Sequence, residues 1–185
     1  MEKKIIAGRV MLPPDITVEG IEEAFGKWAD AGMNRLLHRA IQGALRHGAI
    51  GPGYEVEVYT DDARTRFEQQ QALWDRMDFI GLPLELAHEC GMEFYGYADP
   101  WNMGGPVEYG HGTQATFCVE HPEYLPVDRT GTKRQYTILE WAYPEARAYW
   151  VDAFEKVLKK WPDLDGIFMD TRSECAAIDF ADQYG

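Results

Sequence analysis

Two periods of apolar residues take turns along this chain, and residues 143–174, YPEARAYWVDAFEKVLKKWPDLDGIFMDTRSE, carry both. Ala146, Tyr149, Trp150, Ala153, Phe154, Val157 and Leu158 recur every three or four positions, the spacing that lines one face of a helix. Pro144 sits where a first-turn proline is tolerated, and Glu145 suits the positive end of the helix dipole. Lys156, Lys159 and Lys160 gather at the other end, and Pro162 stops the helix. Asp165-Gly166 then turns the chain into Ile167-Phe168-Met169, an apolar run that predicts a short buried strand of the parallel-sheet type. Asp170, Arg172 and Glu174 follow at its carboxyl end, where parallel α/β folds gather their chemistry.

The same succession repeats upstream. Residues 5–12 read as a first strand, ended by Pro13-Pro14. Thr17 is placed to cap a helix with Val18, Ile21, Phe25 and Trp28 as its apolar stripe and Gly32 as a left-handed stop. Residues 33–37 give a second strand that delivers His38 and Arg39 to its end. After an irregular glycine-rich loop, residues 54–59 alternate as a half-exposed strand or extended arm. Asp61 or Asp62 is expected to cap a helix with Phe67, Trp74 and Met77 inward, and residues 83–89 make a second helical piece ending at Cys90-Gly91. Residues 94–98 form the third strand, followed by Asp99-Pro100-Trp101-Asn102. A long loop with Gly104, Gly105, Gly110, His111 and Gly112 leads to a helical turn at 121–125 and a β-turn at 128–131.

The order is therefore β-α-β-α-β-α-β, with long loops after strands and tight ones before them. That asymmetry predicts an α/β fold, a parallel (β/α) barrel of TIM type. A complete barrel takes about 250 residues. Four strands in 185 residues predict a single (β/α) domain, residues 1–185, that is half a barrel and the N-terminal half of a longer one. The strands at 5–12 and 166–169 would then be open edges with apolar side chains exposed. A second copy of the chain, or the missing C-terminal half-barrel, is the expected partner, unless segments 43–59 and 104–125 fold across the open face.

Composition narrows the function. With 45% hydrophobic residues the chain can bury a core, and its formal net charge of −13 repels phosphate backbones and anionic lipid. Neither nucleic acid nor a membrane is expected as a partner. Cys90, Cys118 and Cys175 are widely spaced and include no CxxC pair, so neither a zinc site nor a disulfide framework is predicted. The N-terminal apolar run is too short for a signal peptide, which makes the cytoplasm the default compartment. No GxGxxG, GK[ST] or GxSxG motif occurs, so no nucleotide cofactor and no serine-hydrolase elbow is expected.

Three motifs in order carry a resemblance: HECGMEFYGYADPW, then EHPEYL with VDRTG, then YPEARAY with DGIFMD. Together they resemble the glycoside-hydrolase-like TIM barrels, mostly uncharacterised bacterial proteins related in fold to the amylase-type and other glycosidase barrels. The likeness covers residues 32–170 and implies a carbohydrate-processing barrel acting on an oligo- or polysaccharide. Members continue with four further strands.

Glycoside hydrolysis needs one carboxylic acid to protonate the leaving oxygen and one carboxylate as nucleophile or base. Asp170 and Glu174 are the candidates for those catalytic roles, and Arg172 offers Asp170 a positive partner. The plainer reading is an Asp–Arg salt bridge at the barrel mouth and a Glu174 in a solvated loop, with the proton donor supplied by the absent half. Tyr97, Asp99, Trp101 and Asn102 lie at the end of the third strand as substrate-binding candidates. Trp101 suits stacking on a sugar ring, or packing under the glycine-rich loop. Of His38 and Arg39 only one faces the barrel interior, where Arg39 would bind sugar hydroxyls or a carboxylate. A metal would require three of His38, Asp99, His111 and Asp170 to converge, and their spacings match no compact ligand motif, so no metal is expected. The competing classes are a non-catalytic carbohydrate-binding or scaffold fragment and, further off, a metal-dependent TIM-barrel hydrolase or isomerase.

Overall fold

The structure, a computed structural model, describes residues 4–13, 15–39, 56–100, 103–105, 112–135 and 138–170. Four strands of one sheet are joined in chain order. Strand β1 (Ala7–Val10) leads to helix α1 (Val18–Asp30) and strand β2 (Arg35–His38). Thr17 is the N-cap of α1, its hydroxyl accepting from the Gly20 N–H at 3.1 Å. Ile21 and Phe25 of the predicted stripe are fully buried, and Gly32 ends the helix at φ +89°, where a side chain is strained.

Strand β3 (Val56–Val58) precedes helix α2 (Asp61–Arg76) and helix α3 (Gly81–Glu89). The expected aspartate cap of α2 is corrected: Thr60 is the N-cap, and its Oγ1 accepts from the Ala63 N–H at 3.1 Å. Thr60 keeps the extended backbone a cap requires, while Asp61 and Asp62 are already helical and face the dipole. Helix α3 begins before Pro83 because the Asp78 carboxylate accepts from the N–H groups of Ile80 and Gly81, at 3.1 and 2.8 Å. The same carboxylate takes the Trp161 indole N–H at 3.0 Å, joining α3 to the far end of the chain.

Strand β4 (Glu93–Ala98) follows, then β5 (Gly104–Gly105), β6 (Thr113–Ala115), the short helix α4 (Thr116–Glu120) and a 3-10 turn (Pro122–Tyr124). Helix α5 (Pro144–Lys160) and strand β7 (Gly166–Met169) complete the described elements. Ala146, Trp150, Ala153 and Val157 are the buried face of α5, whereas Leu158 is exposed, so the face is narrower than its spacing predicts.

The main sheet has the order β1-β2-β4-β7 and is parallel throughout. One of its faces sends Leu36, Phe94 and Ala98 into a core with Ile21 and Phe25 of α1, Leu84 and Ala87 of α3, and Trp150 and Val157 of α5. Asp165 locks the turn into β7, accepting from the Phe94 N–H at 2.7 Å and meeting His88 Nε2 at 2.8 Å. The other face carries Arg9 over the Tyr97 ring, Arg35 over Tyr95, and Phe168 stacked on Tyr97.

The expectation that β7 is buried is corrected: Phe168 and Met169 are 42% and 39% exposed, because β7 pairs only with β4 among the described residues. Among the described residues β1 and β7 are the outer strands of this sheet, and the described strands close no barrel. A second, antiparallel sheet of order β3-β6-β5 comes from the loops after β2 and β4. Gly104 makes its hairpin possible at φ +77°, since a Cβ there would collide with the Thr113 carbonyl oxygen. No helix among the described residues is long and apolar enough to cross a membrane.

Candidate functional site

The carboxyl ends of β2, β4 and β7 lie side by side. The ladder runs one step past the named strands: the Asp170 N–H donates to the Ala98 carbonyl at 2.8 Å, and the Arg39 N–H to the Val10 carbonyl at 3.1 Å. Since Ala98 pairs with Met169, Asp99 and Asp170 occupy corresponding positions on neighbouring strands. Asp99 is fully buried there. Tyr97, one turn of the pleat below, donates its hydroxyl to Asp170 Oδ2. Its ring stacks on Phe168 with centroids 5.8 Å apart and takes the Arg9 guanidinium at 5.6 Å. Tyr97 is thus held on both sides, and its hydrogen bond to a carboxylate is of the stronger, charge-assisted kind.

Alternation along β2 decides between His38 and Arg39. Leu36 and His38 are buried on the helix side, which leaves Leu37 and Arg39 on the side of Tyr97. His38 lies between Phe79 and Phe94, with ring centroids at 5.4 and 5.3 Å. Neither of its ring nitrogens has a hydrogen-bond partner among the described residues. Burial disfavours the charged imidazolium and brings the His38 pKa down from 6.5 to about 4. A metal set that includes His38 therefore loses that member to the core. Among the described residues no three His, Cys, Asp or Glu side chains cluster to hold a metal ion.

Burial of a neutral histidine has a measurable cost in acid. Between pH 6.5 and 4 the unfolded chain binds a proton at His38 that the folded chain refuses, so stability falls as pH falls through that window. The loss from this group approaches about 3 kcal/mol. A His38→Leu variant should show a correspondingly flatter pH dependence of urea unfolding than the parent; parallel curves would show that His38 does not titrate in this way.

Of the sequence candidates, the structure joins Tyr97 to Asp170 and places Asp99 and Arg39 at the ends of the neighbouring strands. Trp101, Asn102, Arg172 and Glu174 lie outside the described residues, as does His111. Sequence reading missed Arg9 and Phe168 as neighbours of Tyr97. A signal for Arg9 existed, since it is the one charged residue inside the apolar run of residues 5–12. Phe168 carried none, because an apolar run does not say which of its residues faces outward.

These features define the class at the level of architecture: a mixed α/β protein with a four-stranded parallel sheet, consistent with part of a TIM-like fold, and with its polar cluster at the strand ends. Among solved structures the chain is similar to a noncanonic maltogenic alpha-amylase from Thermotoga neapolitana, with a TM-score of 0.54 and 16% sequence identity. That likeness covers 93% of this chain and 40% of the amylase chain, and at such identity it speaks for the fold. No protein-family model and no curated protein matches the sequence.

Proposed function

We propose that the open sheet is half of a TIM-type barrel and that its strand ends form a glycosidase-type site for an oligo- or polysaccharide. The observation that carries this reading is the Tyr97–Asp170 hydrogen bond at the end of a parallel strand, with Asp99 on the next strand. Asp170 serves as nucleophile or general base. Tyr97 is its positioning residue: a hydroxyl donated to one carboxylate oxygen fixes the plane in which the carboxylate meets the sugar. Asp99 and Arg39 bind substrate, with Trp101, Asn102 and Arg172 assigned to the same mouth by their place in sequence. Glu174 or the rest of the barrel supplies the acid that protonates the leaving oxygen. The fold's likeness to an alpha-amylase supports the reading.

The test is release of reducing ends from a panel of oligosaccharides, by the chain and by its Tyr97→Phe variant. A hydrogen bond to a charged group contributes about 1.5–3 kcal/mol. Removing it should lower kcat by roughly 10- to 100-fold, with a smaller change in KM. Equal kcat in the two proteins would detach Tyr97 from the chemistry. A second reading is favoured by Phe168, an exposed ring stacked on Tyr97 that suits contact with a sugar face. On that reading the chain binds oligosaccharide without cleaving it, and the panel shows binding with no release.

A further inference from the structure

We infer that the saccharide taken at this site is acidic, a uronic-acid-containing glycoside, and that Arg9 and Arg39 receive its carboxylate. The inference rests on the carbohydrate-site reading above. In a chain with 31 acidic and 18 basic residues, the mouth at the strand ends carries Arg9 and Arg39 beside Asp99 and Asp170. Arg9 pairs in register with Leu37, and Arg39 follows Leu37 by two, so both arginines belong to the Tyr97 side of adjacent strands. They stand diagonally to each other at the mouth.

The third arginine of this face shows the contrast. Arg35, lower in β2, is neutralised by Glu93 through contacts of 2.5 and 2.6 Å. Neither Arg9 nor Arg39 makes an ion pair or a side-chain hydrogen bond to a described residue. Arg9 instead leans over the ring of Tyr97, whose hydroxyl reaches Asp170. A cation with no ion-pair partner among the described residues is thus one tyrosine away from the proposed reacting carboxylate.

A solvated arginine is ordinary on a surface, but two at the mouth of neighbouring strands give a ligand two cationic donors on one face. A ligand carboxylate between them meets two planar forks suited to bidentate contact. A neutral pyranose brings no charge to those forks.

The experiment measures turnover and calorimetric binding with 4-nitrophenyl glucuronides and galacturonides of both anomers, beside the matching glucosides and galactosides. Oligogalacturonate and its methyl ester extend the comparison to a longer chain. The expected result is a preference for the acidic member of roughly 10- to 100-fold, weakening as salt is raised. In Arg9→Gln and Arg39→Gln that preference should shrink toward unity at an unchanged melting temperature, and Arg39→Lys should recover part of it. Preference for the neutral member, or an acid-to-neutral ratio untouched by both substitutions, overturns the inference. Turnover of neutral glycosides alone does so while leaving the hydrolase reading in place. Tight binding of uronides without turnover does the reverse, upholding the acidic ligand and removing the hydrolase. No binding of any member removes both.

Discussion

Asp170→Asn is expected to lower glycoside turnover by about 10²–10⁴-fold and to leave the melting temperature nearly unchanged. The substitution keeps the volume of the side chain and removes its charge. The amide oxygen can still accept from the Tyr97 hydroxyl, and the hydrogen bond from Asp170 to Ala98 runs through backbone atoms that the change does not touch. The stability effect should therefore stay within about 1 kcal/mol, while a nucleophile or base is lost outright. Reducing-sugar release and a thermal melt on the same preparation separate the two effects. Turnover equal to that of the parent would take Asp170 out of the mechanism, and a collapsed melt would make it a structural residue.

The second large effect concerns association. Prepared as these 185 residues alone, the chain is expected to self-associate at micromolar concentration. Both edge strands carry apolar side chains in water: Ile5 and Met11 flanking β1 are 57% and 75% exposed, and Phe168 is 42% exposed on β7. Natural sheets seldom leave such edges uncovered. All four strands are parallel, so the outer edge of β7 presents to β1 of a second copy the same backbone direction that β4 presents to β7. One two-fold axis then closes both seams at once. Sedimentation velocity over a concentration series checks this. A monomer with a cooperative melt at every concentration would mean that the exposed edges are tolerated as they stand.

Much of the fold was legible because its signals are local. Thr17 and Gly32 bracket α1 by side-chain and backbone chemistry that needs no tertiary partner, and Pro144 does the same for α5. The spacing of Ala146, Trp150, Ala153 and Val157 set the buried face of α5 before any neighbour was known. What escaped lay where the signal is not local. Strands β5 and β6 have two and three residues, Gly-Gly and Thr-Gln-Ala, and hold together only because they pair with each other and with β3. No period can be read from so few positions. The burial of β7 was misjudged for a related reason: its composition suits a central strand, but its place in the sheet decides its exposure.

The site divides the same way. Asp170, Asp99 and Arg39 follow from one rule, that chemistry in parallel sheets gathers at carboxyl ends. The Tyr97 hydroxyl on Asp170 depends on register between β4 and β7, and the withdrawal of His38 between two phenylalanine rings depends on strand parity. Both are tertiary facts.

The order β1-β2-β4-β7 also bears on how the protein is made. Each described strand of the main sheet docks beside the one before it, and none of them is inserted between two already placed. A chain emerging from the ribosome can therefore lay down this sheet in one direction, every new unit meeting an edge that already exists. The tie from Asp165 to the Phe94 N–H closes the latest step, joining the turn before β7 to a strand synthesised some seventy residues earlier. Assembly by accretion keeps each non-local pairing down to a single loop closure at a time, which eases the slowness that parallel sheets otherwise carry.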